Sequence, residues 1–199
     1  MIMAPSDKSI IRFLQRLDSY SRAFNRLEEF VNVISDSKND TLFSKEESGF
    51  EAEIMSEALI KRFEFNQELS WNLLKDYLQY EGERDVAGSR DTYRRALRLG
   101  LINSPLWMDM ITDRNLSAHD YNDIKAKEIC GRIVNTYYPL FKQLLESMRS
   151  RALDITKADS AEESSLNNAE NTDTQLSVSA EESSLNNTED TDTQLSETK

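Results

Sequence analysis

The sequence is poor in the residues that build disulfides, turns and metal sites. Of its 199 residues one is cysteine and one is histidine, which excludes an intrachain disulfide and a metal site with several imidazole ligands. Five glycines and three prolines leave few positions for turns, so we expect a small number of long elements. No run approaches the roughly 18 apolar residues of a membrane span. Residues 1–7 also lack the basic flank and apolar run of a signal peptide, which predicts a cytoplasmic protein without membrane contact.

The net charge is carried mainly by the C-terminal end. Residues 158–199 hold eleven acidic side chains and one lysine, which accounts for −10 of the net charge of −12 and leaves −2 for residues 1–157. The first 157 residues are therefore nearly neutral. Neither a large basic surface for nucleic acid nor an acidic scaffold is indicated for them.

The same end of the chain contains two copies of a repeat with a period of 19 residues. The copies, 160–177 and 179–196, differ at two positions and contain one pair of leucines each. Because no aromatic residue follows Phe141, the segment cannot bury enough apolar surface to order itself. We predict a folded domain at 1–154 and a disordered acidic tail at 155–199. The tail is either a spacer, or a tether or competitor for a basic surface.

Apolar residues before the tail recur at helical spacing. The predicted helices are 8–35, 51–81, 89–99, one from Ser104-Pro105 to about 116–118, and one from Asn122 or Asp123 to about 153. Trp71 and Trp107 are predicted to be core residues. No convincing alternation of apolar and polar residues indicates a strand. The sequence therefore predicts an all-α protein, an up-and-down bundle of four to five helices.

Glycine, serine and proline refine the predicted helix ends. Gly82 and Gly100 are placed to stop the second and third helices, and Ser89 is a good N-cap for the third. Pro139 should kink the fifth helix, because its ring removes a hydrogen bond and crowds the preceding turn. Gly131, unfavourable inside a helix, is predicted to mark a close approach between helices.

The one histidine lies in the pattern Arg114-x4-His119-x-Tyr121. Five residues along an α-helix turn through about 140°, so Arg114 and His119 do not share a face of an ideal helix. They meet only if the helix ends or distorts near residues 117–119, or if two subunits contribute. Tyr121 points the same way as His119 if the chain is extended there. The alternative is a structural histidine that satisfies the last carbonyls of a helix.

Four blocks of sequence follow one another in a distinctive order. They are Lys61–Trp71, Leu74–Leu78, Arg94–Ile102 and Trp107–Tyr121. Together they resemble the nucleotidyltransferase substrate-binding protein family, and their spacing extends the resemblance over residues 8–150. That family belongs to the HEPN superfamily of small helical bundles and includes HepT-like toxins. The resemblance implies a HEPN-like bundle and a partner, a minimal nucleotidyltransferase encoded separately and nearby.

The resemblance also implies roles for the motif. In HEPN ribonucleases the Arg-x4-6-His pair is catalytic, usually across a homodimer, which implies catalysis by Arg114 and His119. In the HepT-like branch the tyrosine of the motif accepts AMP from the partner enzyme, which silences the toxin and implies modification of Tyr121. The implied supporting residues are Asp113, Asn115 and Ser117.

This chemistry is consistent with the residue types present. Cleavage of RNA by its own 2′-hydroxyl needs a proton acceptor or donor that titrates near neutral pH, which His119 supplies. It also needs a cation against the charge that grows on the phosphorane, a role suited to Arg114. Neither a metal nor a cofactor is required. AMP on Tyr121 would add negative charge and bulk beside the site and block an anionic substrate.

Two charged groups are candidates for contacts with other molecules. The first group consists of Arg62, Glu64 and Glu68 on the second helix. It is either a contact for the transferase or the dimer partner, or a solvated charged edge. The second group consists of Arg90, Arg94 and Arg98 on the third helix. Their spacing puts them on one helix face, the best basic patch for an RNA contact, although the near-neutral domain weakly disfavours avid RNA binding.

The dipeptide Gly88-Ser89 echoes the Gly-Ser signature of nucleotidyltransferase active sites. Those enzymes need an Asp-x-Asp pair shortly downstream to hold Mg²⁺. Here the next aspartates are Asp91 and Asp109, which form no such pair. The chain is therefore not predicted to be the transferase itself.

Three functions remain open at this point. The chain is a substrate-binding partner of a minimal nucleotidyltransferase, modified on Tyr121. Alternatively it is an active, metal-independent endoribonuclease toxin of a toxin–antitoxin pair. The third possibility is a non-catalytic helical bundle in which the motif has only a structural role.

Overall fold

Helices make up nearly all of the chain that the structure describes. The computed structural model describes residues 7–36, 49–117 and 123–158. Its helices are α1 (Asp7–Asp36), α2 (Phe50–Tyr80), α3 (Gly88–Arg98), α4 (Leu106–Ser117), α5 (Asp123–Arg132) and α6 (138–158), with a π-helical turn, Ile133–Tyr137, between α5 and α6. These ranges contain no strand, which confirms the predicted all-α class.

The chain divides into two compact units, Met1–Arg151 and Ala152–Lys199. The first contains α1 to α5 and most of α6. Of the second, the structure describes the end of α6, as far as residue 158. Both repeats lie outside the described residues, so the disordered tail and its boundary after residue 154 stay predictions.

Helices α1 and α2 pair along their length in opposite directions. Arg12 and Arg16 each contact one oxygen of the buried Asp76 carboxylate, at 3.1 and 3.0 Å. Further along, Asn66 Nδ2 donates a hydrogen bond to the carbonyl of Ala23 at 3.2 Å. Because the residue number on α2 falls as that on α1 rises, the helices are antiparallel. A carboxylate out of water requires such donors, so the Asp76 contacts also fix the register of the pair.

Aromatic side chains from five helical segments fill the centre of the first unit. Phe63 of α2 stacks on Tyr137 of the π-helical turn, with ring centroids 5.3 Å apart. Trp107 of α4 meets Phe141 of α6 edge-on at 5.7 Å. The fully buried Tyr20 of α1 donates its hydroxyl hydrogen to the carbonyl of Phe141 at 2.9 Å. Large buried rings of this kind contribute much of the apolar area that stabilises a small bundle.

The two tryptophans differ from each other. Trp107 is 2% exposed, which confirms it as a core residue. Trp71 is only partly buried, and its indole N–H donates to Glu68 Oε2 at 3.0 Å. The prediction of a core position for Trp71 is therefore wrong. It lies at the edge of the apolar face of α2, where a carboxylate on the same helix satisfies its N–H.

Two glycines end helices as predicted. Gly82 follows α2 with φ +91° and Gly100 follows α3 with φ +68°, a conformation that side chains with a Cβ disfavour. In both cases the amide after the glycine donates to the carbonyl five residues back, at 2.9 Å. This pattern satisfies carbonyls that a helix end leaves without partners.

The start of α3 differs from the prediction. Ala87, not Ser89, occupies the N-cap position, and α3 begins at Gly88. The side chain of the N-cap residue does not cap the helix. Instead, the Asp91 carboxylate of the first turn accepts a hydrogen bond from the Ala87 amide at 3.1 Å. The start of α4 is as predicted to within two residues, since Ser104 Oγ accepts from the Leu106 amide at 3.3 Å.

The disturbance predicted at Pro139 takes the form of a widened turn. Pro139 has no N–H for the carbonyl of Asn135, and its ring crowds that carbonyl. Just before it, the chain forms the π-helical turn, in which the amide of Tyr138 donates to Ile133, five residues back. The wider turn accommodates the proline without ending the helical path.

Gly131 does not mark a close contact within the described part of the chain. A Cβ added at Gly131 would meet no atom within 4 Å. The same is true of Gly100, but Gly100 has a positive φ and Gly131 does not. An added Cβ would therefore meet no neighbouring atom at either position, but it would be strained at Gly100 and unstrained at Gly131.

We expect Gly100→Ala and Gly131→Ala to change stability in opposite directions. Alanine at Gly100 should lower the free energy of unfolding by about 1–2 kcal/mol, because a Cβ is strained in the left-handed region. Alanine at Gly131 should raise it by about 0.5–1 kcal/mol, because glycine inside a helix loses more entropy on folding. Urea unfolding measures both. Destabilisation by Gly131→Ala would show instead that another surface approaches this position.

Candidate functional site

The last turn of α4 has one buried side chain and three exposed ones. Asp113 is 6% exposed, whereas Arg114, Asn115 and Leu116 are exposed. Successive helix residues are rotated by about 100°, so a residue that anchors the turn can directly precede residues that face solvent. Arg114, the first residue of the motif, therefore lies on the outer side of an anchored helix.

The rest of the motif lies at or beyond the end of this turn. Ser117 is the last residue of α4, and its side chain is outside the description, as are all atoms of His119 and Tyr121. The expected meeting of Arg114 with His119 therefore stays a prediction, and so do the roles of Ser117 and Tyr121.

Asp113 is held by three hydrogen-bond donors from the following segments. Arg132 Nε donates to Oδ2 at 2.7 Å and Arg132 Nη2 to Oδ1 at 2.9 Å, so guanidinium and carboxylate meet side by side. The hydroxyl of Tyr137 donates to Oδ2 at 2.5 Å. We call these three residues, Asp113, Arg132 and Tyr137, the Asp113 clasp. It joins the last turn of α4 to the end of α5 and to the π-helical turn.

The clasp keeps both of its donors protonated. Burial and the hydrogen bond to Asp113 raise the pKa of Tyr137 well above its ordinary value. Partial burial tends to lower the pKa of Arg132, but the hydrogen bond to Asp113 and the charge of that carboxylate outweigh it, and the pKa is raised. Both groups are therefore in their donor forms at neutral pH.

The Asp113 clasp also rests against α2. The ring of Tyr137 stacks on Phe63, with an angle of 18° between the ring planes. The hydroxyl of Tyr137 thus points to the motif helix while its ring is part of the aromatic core. Any shift of the core against α4 must change this hydrogen bond.

The Arg62 side chain makes its contacts within the chain. Its guanidinium lies over the ring of Phe30, 4.4 Å from the centroid, and donates to the carbonyl of Ala58 at 3.1 Å. Its Nε is buried and has no hydrogen-bond partner among the described residues. The predicted role of Arg62 in a partner or dimer contact is untested, and its internal contacts disfavour it.

The two carboxylates predicted to accompany Arg62 also have neighbours on α2. Glu64 pairs with Lys61 at 3.1 Å. Glu68 accepts hydrogen bonds from Trp71 at 3.0 Å and from Asn72 Nδ2 at 3.1 Å. Such contacts between residues three and four apart are typical of a solvated helix edge, the alternative interpretation of this group.

The basic patch on α3 is partly neutralised. Arg98 pairs with Glu83 at 3.1 Å, and the neighbouring Arg95 pairs with the same carboxylate at 2.9 Å. Arg90 and Arg94 are exposed. The sequence showed the arginines on one face but not Glu83, which reaches them from the loop before α3. The patch is therefore a weaker candidate for RNA contact than its spacing indicated.

Comparison with known proteins assigns the chain to a family. Residues 15–150 match the family model described as nucleotidyltransferase substrate binding protein like. The chain belongs to this family. Residues in the Asp113 clasp and the exposed end of α4 all lie within the matched range, so they are part of the family's domain.

Two solved structures are similar to this family member. The Haemophilus influenzae protein HI0074, described as revealing the fold of a substrate binding domain of a nucleotidyltransferase, is 30% identical, with a TM-score of 0.57 over 67% of this chain and 98% of that chain. A Thermus thermophilus protein is 26% identical with a TM-score of 0.48, over 67% of this chain and 98% of its own. Curated proteins give no significant match.

Two further properties concern the described part of this family member. No described helix is long and apolar enough to cross a membrane. In the same part of the chain, no three acidic, cysteine or histidine side chains group together in a way that could hold a metal ion.

Sequence reasoning missed two residues of the site in this family member. Arg132 and Tyr137 follow the motif by 18 and 23 residues, counted from Arg114, and no motif in the sequence links them to it. One signal pointed to their segment, the distortion expected from Pro139. Which carboxylate they would hold is decided by how α4 packs on α5.

We expect Arg132→Ala to destabilise the domain by about 2–3 kcal/mol. It removes two charge-assisted hydrogen bonds and leaves the buried Asp113 carboxylate with one donor. Arg98→Ala is the matched control, because its ion pair with Glu83 is exposed and should contribute less than about 0.5 kcal/mol. Urea unfolding measures both variants. Equal losses would contradict the assignment of Asp113 as a buried anchor.

Proposed function

We propose that this chain is the HepT-like partner of a separately encoded minimal nucleotidyltransferase and receives AMP from it on Tyr121. The observation that carries the proposal is the family match over residues 15–150, within which Arg114 lies exposed at the end of an anchored helix. The partner is expected to be encoded nearby, and the two proteins would act together in the cytoplasm. In this arrangement the chain presents a substrate group and the partner supplies the transfer chemistry.

The charge of residues 1–157 supports a protein partner over a tightly bound nucleic acid. Residues 1–157 carry a net charge of only −2, and two arginines of α3, Arg95 and Arg98, both pair with Glu83. Tight phosphate binding depends on several unpaired cations. A nearly neutral surface is compatible with a protein interface, in which charged residues are depleted at the core and the rim is polar.

The transfer itself is a balanced displacement at phosphorus. The Tyr121 hydroxyl oxygen would attack the α-phosphorus of ATP and form a new P–O bond, while the bond to the leaving pyrophosphate breaks. The phenolic proton passes to a base or to water. The product would carry a phosphodiester with one negative charge on Tyr121, two residues after His119 in the sequence.

The proposal predicts one added AMP on Tyr121 after incubation with the partner and ATP. Intact-mass spectrometry should show the increase for the wild-type chain and not for Tyr121→Phe. Tyr138→Phe is the control, because Tyr138 is a partly exposed tyrosine of α6 in the same unit. An increase that persists in Tyr121→Phe would remove this residue as the acceptor, and an unmodified wild-type chain would contradict the proposal.

The ribonuclease alternative makes a separate prediction. If Arg114 and His119 cleave RNA, the purified chain should do so without metal, and Arg114→Ala and His119→Ala should each abolish the cleavage. Because five residues turn an α-helix by about 140°, this alternative also requires a helix end near the motif or a homodimer. Cleavage of RNA by the wild type alone would favour it. Equal cleavage by all three proteins would reveal a contaminating nuclease.

A further inference from the structure

We infer that Asp113 is a positioning residue for the motif. We also infer that the π-helical turn allows Arg132 and Tyr137 to donate to the Asp113 carboxylate at the same time. In this arrangement the Asp113 clasp sets the direction in which Arg114 and Asn115 leave α4. The importance of that direction rests on the proposed function of the motif. The geometry of the clasp is independent of that function.

The spacing of the two donors is what requires the π-helical turn. Arg132 and Tyr137 are five residues apart, and five residues turn an ideal α-helix by about 140°. On such a helix the two side chains would leave from different faces, which disfavours their convergence on one carboxylate. A π-helical turn closes its hydrogen bonds between residues five apart and so brings residues at this spacing onto one face. Both side chains do reach Oδ2 of Asp113, at 2.7 and 2.5 Å.

The cause of the turn lies in the sequence just beyond it. Pro139 cannot donate to the carbonyl of Asn135, so an ordinary α-helix would lose a hydrogen bond there in any case. The amide of Tyr138 donates to Ile133, the contact that defines the widened turn. The proline therefore lowers the cost of leaving the α-helical register at the place where the clasp requires it.

The position of Asp113 in the chain connects the clasp to the motif. It is the residue directly before Arg114 and belongs to the same helical turn as Asn115 and Leu116. A rotation or shift of α4 that lengthened the contacts of Asp113 would carry these exposed side chains with it. A contact at the start of α4, such as that of Trp107 with Tyr93 at 5.1 Å, lies two turns away from them.

A matched pair of variants separates positioning from simple stability. Tyr137→Phe removes the hydroxyl bound to Asp113 and keeps the ring that stacks on Phe63. Tyr93→Phe is the control, because it removes a buried hydroxyl that lies 2.7 Å from Ser70 Oγ of α2 and keeps the ring that packs on Trp107 at the other end of α4. Both variants lose one buried hydrogen-bonding group, so a comparable decrease in Tm is expected for the two.

The first readout does not depend on the proposed function. His119 is the chain's one imidazole, so its ring resonances are unambiguous in an NMR spectrum of the full-length protein. Tyr137→Phe should shift these resonances and their titration midpoint, and it should speed amide exchange at residues 114–117. Tyr93→Phe should leave all of them as in the wild type. If both variants or neither changed these signals, the positioning role would be overturned.

The second readout uses AMP transfer by the partner enzyme to the full-length chain. Tyr137→Phe should lower kcat by about tenfold or more with little change in the KM for ATP, because a misplaced acceptor reacts slowly although ATP still binds. Tyr93→Phe should retain the wild-type kcat. Equal kcat values for all three proteins would contradict the inference. If the wild-type chain accepts no AMP, the proposed function fails, and the NMR comparison alone decides the positioning role.

Discussion

The arrangement of the motif helix depends on one carboxylate removed from water. Asp113 can be buried at little cost because two side chains supply its carboxylate with three hydrogen bonds. Those donors come from the end of α5 and from the π-helical turn, so satisfying the carboxylate also fixes α4 against the next part of the chain. One residue later the side chains point outwards. The buried Asp113 and the exposed Arg114 belong to the same turn of α4. The contacts that hold Asp113 inside the bundle therefore also determine where Arg114 lies on its surface.

The same principle operates at the other end of α2. Asp76 is as well buried as Asp113 and is satisfied by Arg12 and Arg16 of α1, which fixes the register of the long antiparallel pair. Between the two carboxylates lies an aromatic core that gives the bundle its apolar stabilisation but little directional information. Each of the two buried carboxylates pairs with arginine from another helix. Apolar contacts alone would allow the helices to slide along each other, so these ion pairs determine their relative positions.

The contacts of the other charged residues narrow the possible functions. Arg95 and Arg98 share Glu83, and Arg62 lies over Phe30, so several cations that looked available in the sequence are already engaged. Near the motif, Arg114 and Asn115 are exposed at the end of α4. With few unpaired cations on α3, the described surface is poorly suited to tight binding of a long polyanion, which is in line with the proposed role of the chain. This physical argument agrees with the family to which the chain belongs.

The sequence by itself determined the helices, their glycine ends and the place of the motif. Those features depend on local periodicity, on the φ angle that Gly82 and Gly100 adopt, and on the missing N–H of Pro139. Tertiary structure decided which partners the polar side chains take: Asp113 with Arg132 and Tyr137, Glu83 with two arginines, Trp71 at an edge of the core. Side chains that lie 12 to 24 residues apart in sequence have no periodic signal, because their meeting depends on how whole helices pack.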